Sequence, residues 1–210
     1  FYNGQRNGRA FGSAAEYIEL DTDLLSVLPD SVSFAQGATL GIPCMTAHRA
    51  LFLAGPVQGR TVLVTGGAGA VGHYAVQLAA WAGATVIATV SSQEKAERAR
   101  AGGAHHVIDY RREDVAARVR ELTDGQGVHH VVEVDFGGNI ASTLASIAMN
   151  GSLAYYATKG SREPVAPLPR SGASSRSFSS RCRRSASRSP SNGRTVPSST
   201  SHSRSATNST

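Results

Sequence analysis

Cysteine is scarce, two in 210 residues, as are methionine, also two, and tryptophan, one. Cys44 and Cys182 share no CxxC spacing, which excludes a disulfide scaffold and a thiolate metal cluster, and points to free thiols in the reducing cytoplasm. Long apolar runs are missing: none approaches the ~20 residues of a bilayer span, so no membrane partner is expected. The opening FYNGQRNGRAFG lacks the basic start and apolar stretch of a secretory signal and reads as a fragment boundary. Acid is absent from one part only. All 15 Asp and Glu lie in residues 1–169 with 13 of the 21 Lys and Arg, whereas residues 170–210 hold eight arginines and no acid. The net charge of +6 thus belongs to the tail, and nucleic acid is a partner only through it.

What is present is concentrated in Thr61 to Gly72, TVLVTGGAGAVG, where β-prone residues run into a glycine-rich turn and then an apolar helical pattern. A dinucleotide diphosphate is held by backbone amides at a helix N-terminus, and side chains at the turn would block its approach. Gly67, Gly69 and Gly72 satisfy G-x-G-x-x-G, while Gly66, Gly69 and Gly72 give G-x-x-G-x-x-G, leaving the first glycine open.

The surrounding chain fits that reading. Ala14 to Leu20 alternates as a short strand, Ser33 is placed to cap a helix, and residues 46–53 read as a connecting helix between Gly41-Ile42-Pro43 and Gly55-Pro56. Strands are predicted over 61–65, 85–90, 106–109, 129–134 and 152–156, with helices over 69–82, 92–101, 112–122 and 139–149 between them. Single helices between strands demand a parallel sheet: an α/β, Rossmann-like fold. Ser91-x-x-Glu94 reads as a capping box, Gly102-Gly103 as a helix stop, and Trp81 as a packing residue.

NAD-binding folds usually end their second strand in Asp or Glu, which holds the ribose hydroxyls and repels a 2′-phosphate. Here the strand ends Val90-Ser91-Ser92, with Lys95 one turn on, an arrangement that suits the 2′-phosphate of NADP(H). Ser91 has a second reading as a plain cap, Lys95 as a solvated charge, and Tyr110 either covers the adenosine end or merely packs. His105-His106 and His129-His130 have no partner spacing for a metal site, and no residue stands out as catalytic.

The stretches GIPCMTAHRALF, TVLVTGGAGAVGHYAVQLAAWAGATVIATVSSQEKAERARAGGAHHVIDY and VVEVDFGGN resemble the zinc-free quinone oxidoreductase (zeta-crystallin-like) branch of the medium-chain dehydrogenase/reductase superfamily over residues 1–169. The resemblance implies the end of a GroES-like β domain at 1–33, a connecting helix and NADP-binding Rossmann domain at 34–160, and NADPH-dependent hydride transfer to a small quinone or enone, with homodimers among full-length relatives. It places Thr46 near the nicotinamide, Gly69, Ala70, Val71 and Gly72 on the diphosphate, and Ser91, Ser92, Lys95 and Tyr110 at the 2′-phosphate and adenine side. Asp135-Phe136-Gly137 falls beside the nicotinamide ribose, and Ala157 stands where the family often has glycine.

After Pro169 the pattern changes abruptly, with 16 serines in residues 171–210. Residues 161–210 therefore read as a Ser/Arg-rich disordered tail, either a frameshift product or a phosphorylatable binding segment. The sheet is then left with five of six strands, an open edge and weak stability. Two functions stay open: an NADPH-dependent quinone reductase, and a non-catalytic NADPH-binding, structural or sensor protein.

Overall fold

The computed structural model describes residues 15–17, 19, 22–158 and 174–175. Contacts divide the chain into two units, Phe1–Ser180 and Arg181–Thr210, and all the described residues lie in the first. The expected strand at Ala14 to Leu20 falls largely outside them.

Before the sheet, Ser33 caps helix α1, Phe34–Thr39, through a reciprocal capping box with Gln36. A π-turn, Leu40–Cys44, bends at Gly41 and leads into α2, Met45–Phe52. The alternating units follow as β1 Thr61–Val64, α3 Ala70–Trp81, β2 Thr85–Val90, α4 Gln93–Ala101, β3 His106–Asp109, α5 Val115–Leu122, β4 Val128–Glu133, α6 Phe136–Ser146 and β5 Ile147–Tyr155. A two-residue β6, Ser174–Ser175, completes the order β3-β2-β1-β4-β5-β6, every pair parallel. This is the doubly wound Rossmann order, whose connection reverses between β1 and β4. The sheet has five full strands, as the alternation predicts, and the two-residue β6 pairs only with Ser152 and Leu153 of β5.

The strands are short apolar runs because both faces are covered. Alternation along β1 sends Val62 and Val64 into a core with Ala50 and Leu51 of α2, Ala75, Val76 and Ala79 of α3, and Ala96 and Ala99 of α4. Leu63 points the other way, with Ile87, Ile108 and Val131, onto Val119 of α5. Alanines on α3 let the helix lie close to the sheet, as its small-residue pattern predicts.

Four predicted features shift. The capping box at Ser91 does not form; Ser92 is the N-cap, accepting from the Lys95 amide at 3.3 Å. Helix α5 begins at Val115 rather than 112, because the Asp114 side chain caps it by accepting from the Ala117 amide. Helix α6 begins at Phe136 rather than 139, since Asp135 caps it and Gly137-Gly138, read as loop, form its first turn. It therefore ends early, and β5 starts at Ile147; its predicted portion, from Ser152 on, is the part in register with His130 to Glu133. Between them the chain bulges through Asn150 at φ 61° and Gly151. Trp81 is 83% exposed, so it does not serve the packing role expected of it.

Candidate coenzyme site

A cleft of about 370 Å³ opens at the C-terminal ends of the strands, across the β1/β4 switch point. Thr65, Gly66, Ala68 and Gly69 form its floor; Thr89, Val90, Ser91, Lys95 and Tyr110 one side; and Val115, Val134, Asp135, Asn139, Ser142 and Thr143 the other.

The floor is shaped by glycine chemistry. Gly66 adopts φ 65°, left-handed backbone that side chains disfavour, and its amide donates to the Thr89 hydroxyl at 3.1 Å. Gly67 is buried, and a Cβ there would meet the Ala88 Cβ at 2.7 Å. The ambiguity over the first glycine thus dissolves: Gly66 turns the chain at the cleft, and Gly67 packs it on β2. Gly69 is exposed on the floor as the N-cap of α3. Gly72 does not line the cleft; a Cβ there would overlap the Gly66 carbonyl oxygen, so its role is to let helix and turn touch.

The first intrahelical bond of α3 runs from the His73 amide to the Gly69 carbonyl at 2.8 Å. The amides of Ala70, Val71 and Gly72 precede it and have no helical acceptor, leaving donors and a positive dipole end beside Gly69. Ala70 and Val71 follow Gly69 on α3 and do not themselves line the cleft.

At the second strand, Ser91 is buried at 7% exposure and accepts from the Lys95 ammonium at 2.9 Å. Since Ser92 does the capping, Ser91 is free of that duty and serves to hold Lys95 at the cleft wall. Tyr110, half exposed, extends that wall from the end of β3. Thr46 sits partly buried on α2 and does not line the cleft, and neither does Ser92.

The opposite wall holds what the sequence reading missed. Glu133, at the end of β4, has no exposed surface. One carboxylate oxygen accepts from the Thr65 hydroxyl at 2.9 Å, the Asp135 amide at 2.6 Å and the Asn139 side-chain amide at 2.9 Å; the other accepts from the Thr143 hydroxyl at 2.9 Å. Burying a charge is costly unless donors replace water, and these four do so. Thr65 in turn accepts from the Val134 amide at 2.9 Å, tying β1 to the β4–α6 turn. Burial, and then the negative Glu133, push the Tyr156 hydroxyl well above its usual range.

The histidines have structural employment. The His105 and His129 rings accept from the Val86 and Thr61 amides. His130 is 2% exposed, bonding Ala50 O through Nε2 at 2.9 Å and the Ser152 hydroxyl through Nδ1 at 2.6 Å. A carbonyl only accepts, so Nε2 carries the proton and Ser152 donates to Nδ1.

With this geometry in view, residues 70–192, more than half of the chain, match the zinc-binding dehydrogenase family. The chain belongs to that family. Within it the likeness is to quinone oxidoreductases of the medium-chain dehydrogenase/reductase superfamily. It is 39% identical over 141 residues to a quinone oxidoreductase-like protein 2 homolog of Nematostella vectensis, covering 67% of this chain and 39% of that protein. A mycobacterial protein solved with NADPH superposes with a TM-score of 0.62 at 40% identity, covering 67% of this chain and 44% of the other. A solved NAD-dependent alcohol dehydrogenase gives 0.65 at 32% identity, covering 69% and 42%. The chain thus spans less than half the length of these relatives. The match also runs past Pro169, where the resemblance read from the residues stops.

Despite the family's name, no three His, Cys, Asp or Glu side chains among the described residues converge to hold a metal ion, so those residues do not fit zinc. A nicotinamide dinucleotide does fit: exposed Gly69 puts no side chain on the cleft floor at the α3 N-terminus, and the Lys95 ammonium stands at the end of β2. No described helix is long and apolar enough to cross a membrane.

Proposed function

We propose that this cleft binds NADP(H) and that the protein is an NADPH-dependent oxidoreductase of quinone reductase type, acting on a quinone or an activated alkene in the cytoplasm. In this reading residues 34–160 are the coenzyme domain and residues 1–33 belong to a preceding catalytic domain. The observation that carries the coenzyme choice is the Lys95 ammonium held by buried Ser91 at the end of β2, where an NAD-binding acid would otherwise stand.

The amides of Ala70, Val71 and Gly72 hold the diphosphate, and Gly66 and Gly69 let it approach. Lys95 and Ser91 neutralise and hydrogen-bond the 2′-phosphate, with Ser92 ordering the α4 N-terminus beside them, and Tyr110 covers the adenosine edge. The nicotinamide half then lies toward Val134 and Asp135, and Thr46 approaches it from α2. The bound coenzyme supplies a hydride to an electron-poor acceptor. The chain's part is orientation and exclusion of water, which needs no strong general acid when solvent provides the proton.

The test is calorimetric titration of the purified chain with NADPH and NADH, followed by addition of 9,10-phenanthrenequinone while NADPH absorbance is recorded. The reading expects tighter NADPH binding and quinone-dependent oxidation. Binding without oxidation would reduce the chain to a nucleotide-binding protein, and absence of both would refute the coenzyme assignment.

A further inference from the structure

Glu133 is the most deeply enclosed ionisable group of the cleft walls, and the coenzyme reading gives it no task. Its contacts span three segments. Thr65 follows β1, Asp135 begins the turn after β4, and Asn139 and Thr143 stand on the first turns of α6. Thr65, Asp135, Asn139 and Thr143 all line the cleft as well. One buried side chain therefore sets the shape of an entire wall.

Its effect on Asn139 is directional. An amide side chain presents either its oxygen or its NH2 to a neighbour, and a carboxylate oxygen accepts only the latter. The 2.9 Å bond to Glu133 consequently turns the Asn139 NH2 inward, leaving Oδ1, an acceptor, for the cleft. Among the described residues no donor is bonded to that oxygen, and it is not a buried unsatisfied atom; the only one of those is His73 Nδ1. With adenosine on the β2 side and the diphosphate over Gly69, the nicotinamide riboside must fall on the β4 side, where hydroxyls and a carboxamide supply donors.

We propose that Glu133 is a positioning residue that orients Asn139 so that its Oδ1 accepts a hydrogen bond from the nicotinamide half of the coenzyme. The inference rests on the NADP(H) reading and goes further, assigning a second wall and the polarity of its contact. Replacing Glu133 by Leu removes both acceptor oxygens at similar side-chain volume. Asn139 then loses its orienting acceptor, and the orphaned Thr65 and Asp135 donors draw its oxygen inward, leaving its NH2 for the cleft.

The test compares two probes on the full chain: NADPH, and adenosine 2′,5′-bisphosphate, which carries the adenosine end but no nicotinamide half. Asn139→Ala is expected to weaken NADPH about fivefold, the worth of one neutral hydrogen bond, with the bisphosphate unchanged within twofold. Glu133→Leu is expected to show the same split, and the double variant to bind NADPH no more weakly than the weaker single variant, because both changes remove one interaction. Wild-type NADPH affinity in Asn139→Ala overturns the proposal, as does equal weakening of both probes or a fully additive double variant. Should Glu133→Leu fail to fold, the Asn139→Ala comparison decides alone. Wild-type protein that binds neither probe sinks the coenzyme reading itself, an outcome distinct from a variant that fails to separate the two probes.

Discussion

Alanine at Gly69 and at Gly72 adds the same methyl three residues apart, and the turn should treat the two differently. At Gly72 the new carbon overlaps the Gly66 carbonyl oxygen and approaches Gly66 C at 2.9 Å and Gly67 Cα at 3.1 Å. These are backbone atoms, so the turn itself must move, and the upper end of the overpacking range, about 3 kcal/mol, applies. Alanine's helix preference returns about 1 kcal/mol, leaving a net loss of about 2 kcal/mol, or a fall in Tm of about 4–8 °C for a chain of this size. Coenzyme affinity should fall too, since the displaced residue is Gly66 of the floor.

At Gly69 the backbone is extended, φ −75° and ψ 171°, and any residue adopts it. The nearest atom to a new Cβ is the Gly66 oxygen at 3.2 Å, which needs a shift of only tenths of an ångström. Reduced freedom of the unfolded chain gains about 0.4–1 kcal/mol and the poorer N-cap loses a comparable amount, so Tm should stay within about 2 °C. The methyl nevertheless stands on the cleft floor at the α3 N-terminus, where the proposed diphosphate lies. Loss of one or two charge-assisted bonds, about 1.5–3 kcal/mol, weakens NADPH by about 10- to 100-fold. Thermal unfolding by circular dichroism and calorimetric titration read the two effects separately. Wild-type NADPH affinity in Gly69→Ala, or wild-type Tm in Gly72→Ala, refutes this account of the turn.

Lys95→Ala should weaken NADPH about tenfold, the worth of one hydrogen bond to a charged group, and leave NADH within twofold; equal effects in paired titrations would remove the 2′-phosphate from this wall. Burial holds His130 below its ordinary range, Arg60 adding to the effect against the opposing hydrogen bonds to Ala50 and Ser152, and desolvation followed by Arg98 lowers His73 likewise. The unfolded chain therefore binds more protons below about pH 6.5, so stability is full above that pH and declines as acid is added. Tm should drop between pH 7.5 and 5, more shallowly in His130→Gln, and an unchanged slope in that variant would contradict the buried neutral imidazole.

The sheet was legible because its signals are local. Apolar runs of four to six residues between glycine or proline punctuation leave little choice but strands buried on both faces, and the intervening helices force them parallel. The boundaries that moved did so where two neighbouring residues compete for one task. Ser91 and Ser92 are both able to cap α4, and the decision falls to tertiary packing, which draws Ser91 into the strand end and leaves Ser92 at the helix mouth. Gly137-Gly138 looks like loop by composition, yet Asp135 immediately before them is a capping side chain, and a capped first turn tolerates glycine. Trp81 was misjudged because its position on the exposed side of α3 follows from which small residues face the sheet, and a helix rich in alanine marks that face only weakly.

The cleft's two walls differ in how they could be read. The β2 wall follows a spacing rule, since a strand end, a cap and a lysine one turn on are neighbours in sequence, and their proximity is given by helix geometry. The Glu133 wall joins residues far apart in sequence, Thr65 and Glu133 being 68 positions apart, through strand pairing that no local pattern encodes. One signal was nonetheless present. In HHVVEVD a glutamate closes an apolar strand whose parallel neighbours lie on both sides, and a fully buried acid is rare unless the fold supplies it with partners. Its donors come from threonines at the end of β1 and on α6 and an asparagine one turn into α6, polar residues that an amphipathic reading assigns to solvent. Glutamate closing a buried parallel strand beside a glycine-rich turn is thus a conflict between local pattern and burial, and such conflicts concentrate where a fold holds a site in shape.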